Sequence, residues 1–264
     1  MRILAIGDTH GQIPKNLPRK DIDLILLTGD IGKSNIVRKI SFDKLKREKE
    51  GLPPKEYSSQ FKKKGYLEIH DWAIKTLKYL IKIAPVYLVY GNIETFNKDN
   101  REVERWAGQK VPPLTRDILR IGNVRIINNR FVNLNGIKIG GLELFIDSGW
   151  LRKFEPYRIK ERGKKSRKAT AKARKVLRRF GRYDLDILLC HQPPYGILDK
   201  VSFPGAPKHW IGKHAGSKVI LDYIKEYHPR YVICGHIHES AGRKKVGKTE
   251  VINLGMGRYK VIVI

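Results

Sequence analysis

The sequence predicts an α/β sandwich, and three observations carry that expectation. A chain of 264 residues with 41% hydrophobic content has the material for a sizeable core. Apolar runs of strand length recur, each closing on a small or polar residue, and segments of helical period lie between them. Runs that are apolar on successive residues imply strands covered on both faces, by helices outside or by a second sheet.

The first run is Ile3 to Ile6 before Gly7, and the second is Leu24 to Leu27 before Thr28-Gly29. Lys33 to Gly65 lacks core character and reads as an insertion near 33–65. Leu67, Trp72, Leu77, Leu80 and Ile81 then give a helix before the third run, Val86 to Tyr90. Val124 to Phe145 reads as antiparallel strands, with Asn135-Gly136 a hairpin turn. A second insertion is expected near 152–183. From Ser166 onward it forms a helix with Ala169, Ala173, Val176, Leu177 and Phe180 on one stripe and Gly181 as its stop. Ile187 to Cys190 leads into His191, and Val219, Leu221, Tyr223, Ile224 and Tyr227 mark a helix before the run Tyr231 to Cys234. With no internal repeat, 1–264 is expected to be a single domain.

Composition narrows the class. The hydrophobic content excludes a disordered chain. The cysteines, Cys190 and Cys234, each sit inside an apolar run, so they read as buried thiols rather than a disulfide framework. No stretch approaches the roughly 18 apolar residues of a membrane span, and M-R-I-L-A-I-G-D lacks a cleavable signal's layout. A cytoplasmic, reducing location is the expectation. Abundant Lys, Arg, Glu and Ile with few Gln are compatible with a thermophilic source. The net charge of +28 speaks to association rather than fold.

Side chains able to bind metals stand at or just beyond the ends of these runs. They are Asp8 and His10 in G-D-T-H-G, Asp30 in T-G-D-I-G, Asn92 in Y-G-N-I-E, His191 in L-C-H-Q-P-P, and His236 and His238 in C-G-H-I-H-E. The carboxyl ends of strands in an α/β sheet converge on one crevice, so these seven would meet as a dinuclear metal site with Asp30 as the natural bridge. Singly, each has an ordinary structural explanation as a cap, turn or core residue. Their conjunction, in order and each after an apolar run, is what singles them out. Carboxylate, carboxamide and imidazole without thiolate suit two divalent cations, with Mn placed first and Fe, Zn, Ni, Co or Mg as alternatives. His70 and His228 fall on helical patterns and read as surface residues. Asn253, in V-I-N-L-G, reads either as a brace for the site or as a turn residue.

The pattern G-D-x-H, G-D, G-N-x-E, lone His, G-H-x-H resembles that of the calcineurin-like metallophosphoesterases, from Gly7 to His238. The resemblance implies a four-layer α/β/β/α sandwich. It implies one metal held by Asp8, His10, Asp30 and His238, and another by Asp30, Asn92, His191 and His236. H-Q-P-P-Y-G-I-L-D and H-A-G-S are similar to a subset of these enzymes. The expected activity is hydrolysis of phosphate esters, phosphodiesters foremost, through a metal-bridging hydroxide. One position departs: the family usually writes G-N-H-[DE], and Ile93 stands where that histidine assists the leaving oxygen. Activated aryl phosphodiesters are therefore expected to turn over better than alkyl monoesters. The family also includes a trafficking-coat scaffold, so a catalytically weak metal-binding scaffold stays open as an alternative. With Asp30, Asn92 and His191 as the catalytic core, His214 or His209, in P-K-H-W-I-G-K-H-A-G-S, is a candidate replacement proton donor, and His214 is preferred.

Arg158 to Arg182 holds thirteen Lys/Arg and one acid, Glu161, close to half the net charge. A basic helix face rimming the cleft would draw nucleic acid or nucleotides, making a nucleic-acid-directed nuclease or phosphodiesterase the second alternative. A solvated face on a basic protein is the plain counterpart. The oligomeric state stays open.

Overall fold

The computed structural model describes residues 1–264, the side chain of Lys49 apart. Along the chain run β1 (Arg2–Ile6), β2 (Leu24–Leu27), α1 (Asn35–Lys49), α2 (Ser59–Leu80), β3 (Val86–Leu88), α3 (Asn92–Asn97), α4 (Asn100–Ala107), α5 (Leu114–Leu119) and β4 (Val124–Ile126). The second half holds β5 (Arg130–Leu134), β6 (Ile137–Leu142), α6 (Ser148–Phe154), α7 (Ile159–Gly181), β7 (Ile187–Cys190), α8 (Lys218–Tyr227), β8 (Tyr231–Cys234), β9 (Gly242–Val246), β10 (Thr249–Asn253) and β11 (Tyr259–Val263).

One sheet has the order β11-β1-β2-β3-β4, and the other β5-β6-β7-β8-β10-β9. β1 to β4 run parallel with β11 antiparallel at the edge, and β6, β7, β8 and β10 form a parallel centre flanked by antiparallel β5 and β9. Because successive strand residues face opposite ways, Ile3 and Ala5 of β1 join Ile187, Leu189 and Ile233 between the sheets. Leu4 and Ile6 instead pack beneath Tyr66, Ile69, Ala73 and Leu77 of α2. On the far side, Leu188, Cys190, Val232 and Cys234 meet Ala173, Val176, Leu177 and Phe180 of α7 and Val219, Ile220 and Ile224 of α8. Two helix layers thus enclose two sheets, which makes the fold an α/β/β/α sandwich.

The structure corrects several expectations. Within Val124 to Phe145 only β5 and β6 are antiparallel, in register from Arg130 opposite Gly141. β4 lies parallel to β3 in the other sheet, a partner choice no local turn records. The third strand stops at Leu88 because Tyr90 N–H turns to Asn128 Oδ1 at 2.8 Å. α7 begins at Ile159, not Ser166: its buried stripe continues backwards through Thr170, Ser166 and Gly163. Thr170 Oγ1 donates to Ser166 O at 2.8 Å and Ser166 Oγ to Gly163 O at 3.1 Å, so small polar residues stay buried with their hydroxyls satisfied inside the helix. Gly181 ends α7 without entering the left-handed region; a side chain there would run into the ring of Tyr227. Segment 33–65 is α1 and the start of α2, where Gly65 is buried beneath Ile36. His70 is not a free surface group, because Asp71 and Asp117 flank its ring at 2.9 and 3.1 Å. No helix among the described residues is long and apolar enough to cross a membrane.

Candidate metal centre

The loops leaving β1, β2, β3, β7 and β8 all open at one end of the sandwich. Three of the side chains they carry, His10, Asp30 and His236, sit in left-handed backbone with φ of 43°, 48° and 69°. Non-glycine residues rarely adopt that region, and such residues cluster where the surrounding structure fixes a functional geometry. Glycines allow the loops to close on one another. A side chain at Gly91 would strike Asp30 and approach His191 Cε1 to 2.6 Å, and one at Gly235 would strike Asp8 and lie 2.9 Å from Thr28 Oγ1.

All seven expected ligands converge. Asp8 is fully buried. Its Oδ1 accepts from Thr28 Oγ1 at 2.7 Å, while its Oδ2 accepts from His236 N–H at 2.7 Å and lies 3.1 Å from His238 Nε2. His10 Nε2 and His238 Nε2 face each other at 3.3 Å. Asp30 Oδ2 stands between the two halves of the site, 3.8 Å from His10 Nε2 and 3.7 Å from His191 Nε2. His191 Nδ1 donates to Thr28 O at 2.8 Å, which turns Nε2 toward Asn92 Oδ1 at 3.1 Å. The ring of His236 completes this half, with its centroid 4.9 Å from that of His191. Asp8, His10 and His238 form one group able to hold a cation, and Asp8, Asp30 and His191 form another. Asp8 is therefore common to both groups, as Asp30 is by distance.

The electrostatics fit cations. Burial holds His10 down at about 4 and His236 at about 3, so both are neutral lone-pair donors at neutral pH. Burial pushes Asp30 up to about 7. For Asp8 burial also pushes upward, but His191, His238 and His10 outweigh it and keep the carboxyl below the usual range. His191 is pushed down by burial and raised on balance by Asp30 and Asp8. Without a cation Asp30 and the His191 imidazole are therefore the groups that hold protons, and Asp8 stays ionised. In addition His10 Nδ1 is buried without a hydrogen-bond partner. Oxygen and nitrogen atoms with lone pairs that face one another across 3.1–3.8 Å form a set that divalent cations satisfy.

Three supports escaped the sequence reading or were left open by it. Glu94 is fully buried, and its carboxylate accepts from Ile31 N–H at 2.7 Å, Asp30 N–H at 2.8 Å and Gly91 N–H at 3.1 Å. It ties the loops carrying Asp30 and Asn92 together. The available signal was an acid at the third position of a helix opened by Gly91, the second half of a capping box. Thr28 fixes Asp8 and His191 at once. Asn253 Nδ2 donates to Ile237 O, between the two histidines of the last loop, and to Leu198 O, both at 2.9 Å.

Ile93 is turned away from the ligands, 5% exposed within the core under α2, while its N–H donates to Asp30 Oδ1 at 2.8 Å. His214 makes no hydrogen bond to any of the seven. Its Nδ1 is 2.7 Å from Asp199 Oδ1, a buried acid that also accepts from Gly196 and Gly216 N–H. That loop is nonetheless pinned to the turn bearing His236 and His238, through Ser240 Oγ to Lys200 O and Glu239 to the N–H groups of Ser202 and Phe203. His209 Nε2 is occupied by Phe154 O at 3.1 Å.

Comparison with known proteins agrees with this geometry. The chain matches the calcineurin-like phosphoesterase family over residues 1–240 and belongs to it. The family is one of metal-dependent phosphoesterases with dinuclear centres, and the two groups of Asp and His above could hold metal. The phosphopantetheinyl hydrolase PptH from Mycobacterium tuberculosis shares the fold at 15% identity and a TM-score of 0.54, over 97% of this chain and 89% of that one. The protein TT1561 of Thermus thermophilus aligns over 98% of this chain and 97% of its own, at 14% identity and a TM-score of 0.46. No match was found among curated proteins.

Proposed function

We propose that the chain is a two-metal phosphodiesterase. Asp8, His10, Asp30 and His238 would hold one cation and Asp30, Asn92, His191 and His236 the other, with Mn placed first among Mn, Fe, Zn, Co, Ni and Mg. When bound, such a pair supplies a nucleophilic oxygen near neutral pH and neutralises phosphoryl oxygens. The chain's own share is positioning. Thr28 and Glu94 fix Asp8, His191 and the Asp30 backbone, and the left-handed turns aim His10, Asp30 and His236 inward. The observation that carries the reading is Asp30 Oδ2 lying between His10 and His191.

Ile93 offers no proton, so diesters with good leaving groups are the substrates that fit. His214 is the group we place as proton donor to the leaving oxygen: Asp199 fixes Nδ1 and leaves Nε2 on a ring whose side chain is 41% exposed. With Mn²⁺ supplied, bis(p-nitrophenyl) phosphate is hydrolysed faster than glycerol 2-phosphate, and Asp30→Asn abolishes both. Equal rates on the two at saturating metal overturn the diester preference; no turnover with any of the six metals overturns the enzyme reading in favour of a scaffold.

The exposed cations of α7, among them Lys164, Arg167, Lys168, Arg174, Lys175 and Arg178, favour nucleic acid as the form in which such diesters arrive. The two free, buried thiols suit a cytoplasmic setting.

A further inference from the structure

A cavity of about 240 Å³ lies between α7, the segment following β6 and the outer turn of α3. Its floor is tied to the metal centre from both sides. Leu144 N–H donates to Tyr90 O at 3.0 Å, just before Gly91 and Asn92, and Phe145 N–H donates to Gln192 Oε1 at 3.3 Å, just after His191. One wall belongs to the same helix that begins with Asn92. The cavity therefore flanks the Asn92 and His191 half of the site.

Its chemistry is mixed in a specific way. Leu144, Phe145 and Ile146 line it, and Phe96, 57% exposed, also belongs to the lining. On α7 the small side chains of Ser166, Ala169 and Ala173 leave the space open, with Lys165 and Lys172 seven residues apart along the same face. Glu143 is committed to Lys98 at 3.0 Å and to Asn129 Nδ2 at 2.9 Å, and Lys172 reaches it only at 3.9 Å. Lys165 has no carboxylate partner among the described residues. Thr95 Oγ1, also in the lining, is buried without a hydrogen-bond partner.

A hydrocarbon chain would leave two ammonium groups and a hydroxyl unmet, and a small sugar phosphate would leave the apolar floor unmet. A flat ring with polar edges joined to an anion meets all of them. We propose that this cavity binds the nucleoside portion of a phosphodiester substrate, its base against Phe96 and the base's carbonyl or ring-nitrogen edge toward Lys165 and Lys172, while the scissile phosphate lies at Asp30, Asn92 and His191. The volume equals the liquid share of about eight waters, room for one base. The proposal rests on the phosphodiesterase reading and adds a substrate class to it.

The test compares two diesters with one leaving group, the p-nitrophenyl ester of thymidine 5′-monophosphate and methyl p-nitrophenyl phosphate. The nucleoside ester is expected to show a KM lower by about tenfold, the scale of one base stacked on an aromatic ring. Phe96→Ala and Lys165→Glu each bring the kcat/KM ratio of the two esters toward one. Both side chains are exposed, so the variants keep their fold, checked by unchanged melting. A ratio near one in the unaltered protein, or a ratio that survives both substitutions, overturns the cavity's role while turnover of the methyl ester still supports the phosphodiesterase. If neither ester is turned over, the failure lies with the phosphodiesterase reading, and equilibrium dialysis of the metal-free protein with AMP decides the cavity. AMP retained by the unaltered chain and lost with Phe96→Ala supports the site; no retention overturns it.

Discussion

The metal centre and α7 are built on opposite plans. At the strand ends Asp8, Asp30 and His191 are buried, and Asp8 and His191 are each fixed by Thr28. The backbone adopts φ values that few residues accept, and glycine is required where two loops touch. On α7 one face is packed against β7, β8 and α8, and the other is a row of exposed cations, a few of them paired with Glu143 and Asp222. Geometry fixes the first region, while composition sets the charge of the second. A single methyl group is therefore expected to do more damage at the centre than several charge reversals do on the helix.

The steepest way to test that contrast is Gly91→Ala. The added Cβ meets Asp30 and comes within 2.6 Å of His191 Cε1, two ligands held in place by the backbone. Metal content and turnover are expected to fall together by about a hundredfold or more, the upper range for disturbed ligand support. Retained metal at full stoichiometry would show that the strand ends are less rigid than described. Glu94→Gln should follow at about ten- to a hundredfold in metal affinity, because an amide leaves part of the three N–H groups around it unmatched. Melting should register about 1–3 kcal/mol of lost stability for the same reason.

Proton competition comes next. In the metal-free chain Asp30, pushed by burial to about 7, and the raised His191 hold protons that cations must displace. Lower pH thus favours the protonated, metal-free form, and displacement of the Asp30 proton alone should raise affinity by about tenfold in total from pH 6 to pH 8, levelling off above 7, as measured by calorimetry in buffers of different ionisation enthalpy. A flat affinity would mean the ligands are already deprotonated. The smallest effect belongs to α7. Reversing Arg167, Lys168 and Lys175 together should leave stability within about 0.5 kcal/mol per site. It should flatten the salt dependence of nucleic-acid affinity by about 0.9 in log–log slope per phosphate contact removed. Unchanged affinity for nucleic acid would reduce the helix to a solvated face.

The same contrast explains what the sequence disclosed. The convergence of the seven side chains was legible because each follows an apolar run, and strand ends in this architecture point to one place. Ile93 was legible as a substitution but not as a core residue, since only the packing under α2 shows which way it turns. Glu94 works through three backbone amides on two loops, Asp30 and Ile31 on one and Gly91 on the other, and a chain of letters records no amide directions. The first two turns of α7 hid because Gly163, Ser166 and Thr170 are buried without being apolar. His70 looked exposed because the acid that holds it, Asp117, lies 47 residues away. Short-range periodicity shows layers and strand ends; partners chosen across the fold stay silent.

α3 condenses the molecule into six residues. Asn92 answers to His191, Ile93 to the core and to Asp30, Glu94 to the amides of two loops, and Thr95 and Phe96 to the cavity. Such a turn does not drift one position at a time, because a change that suits one neighbour is vetoed by the next. One turn of chain thus couples the loop of Asp30, the core and the cavity wall, so a change at any of its positions is felt at the others' neighbours.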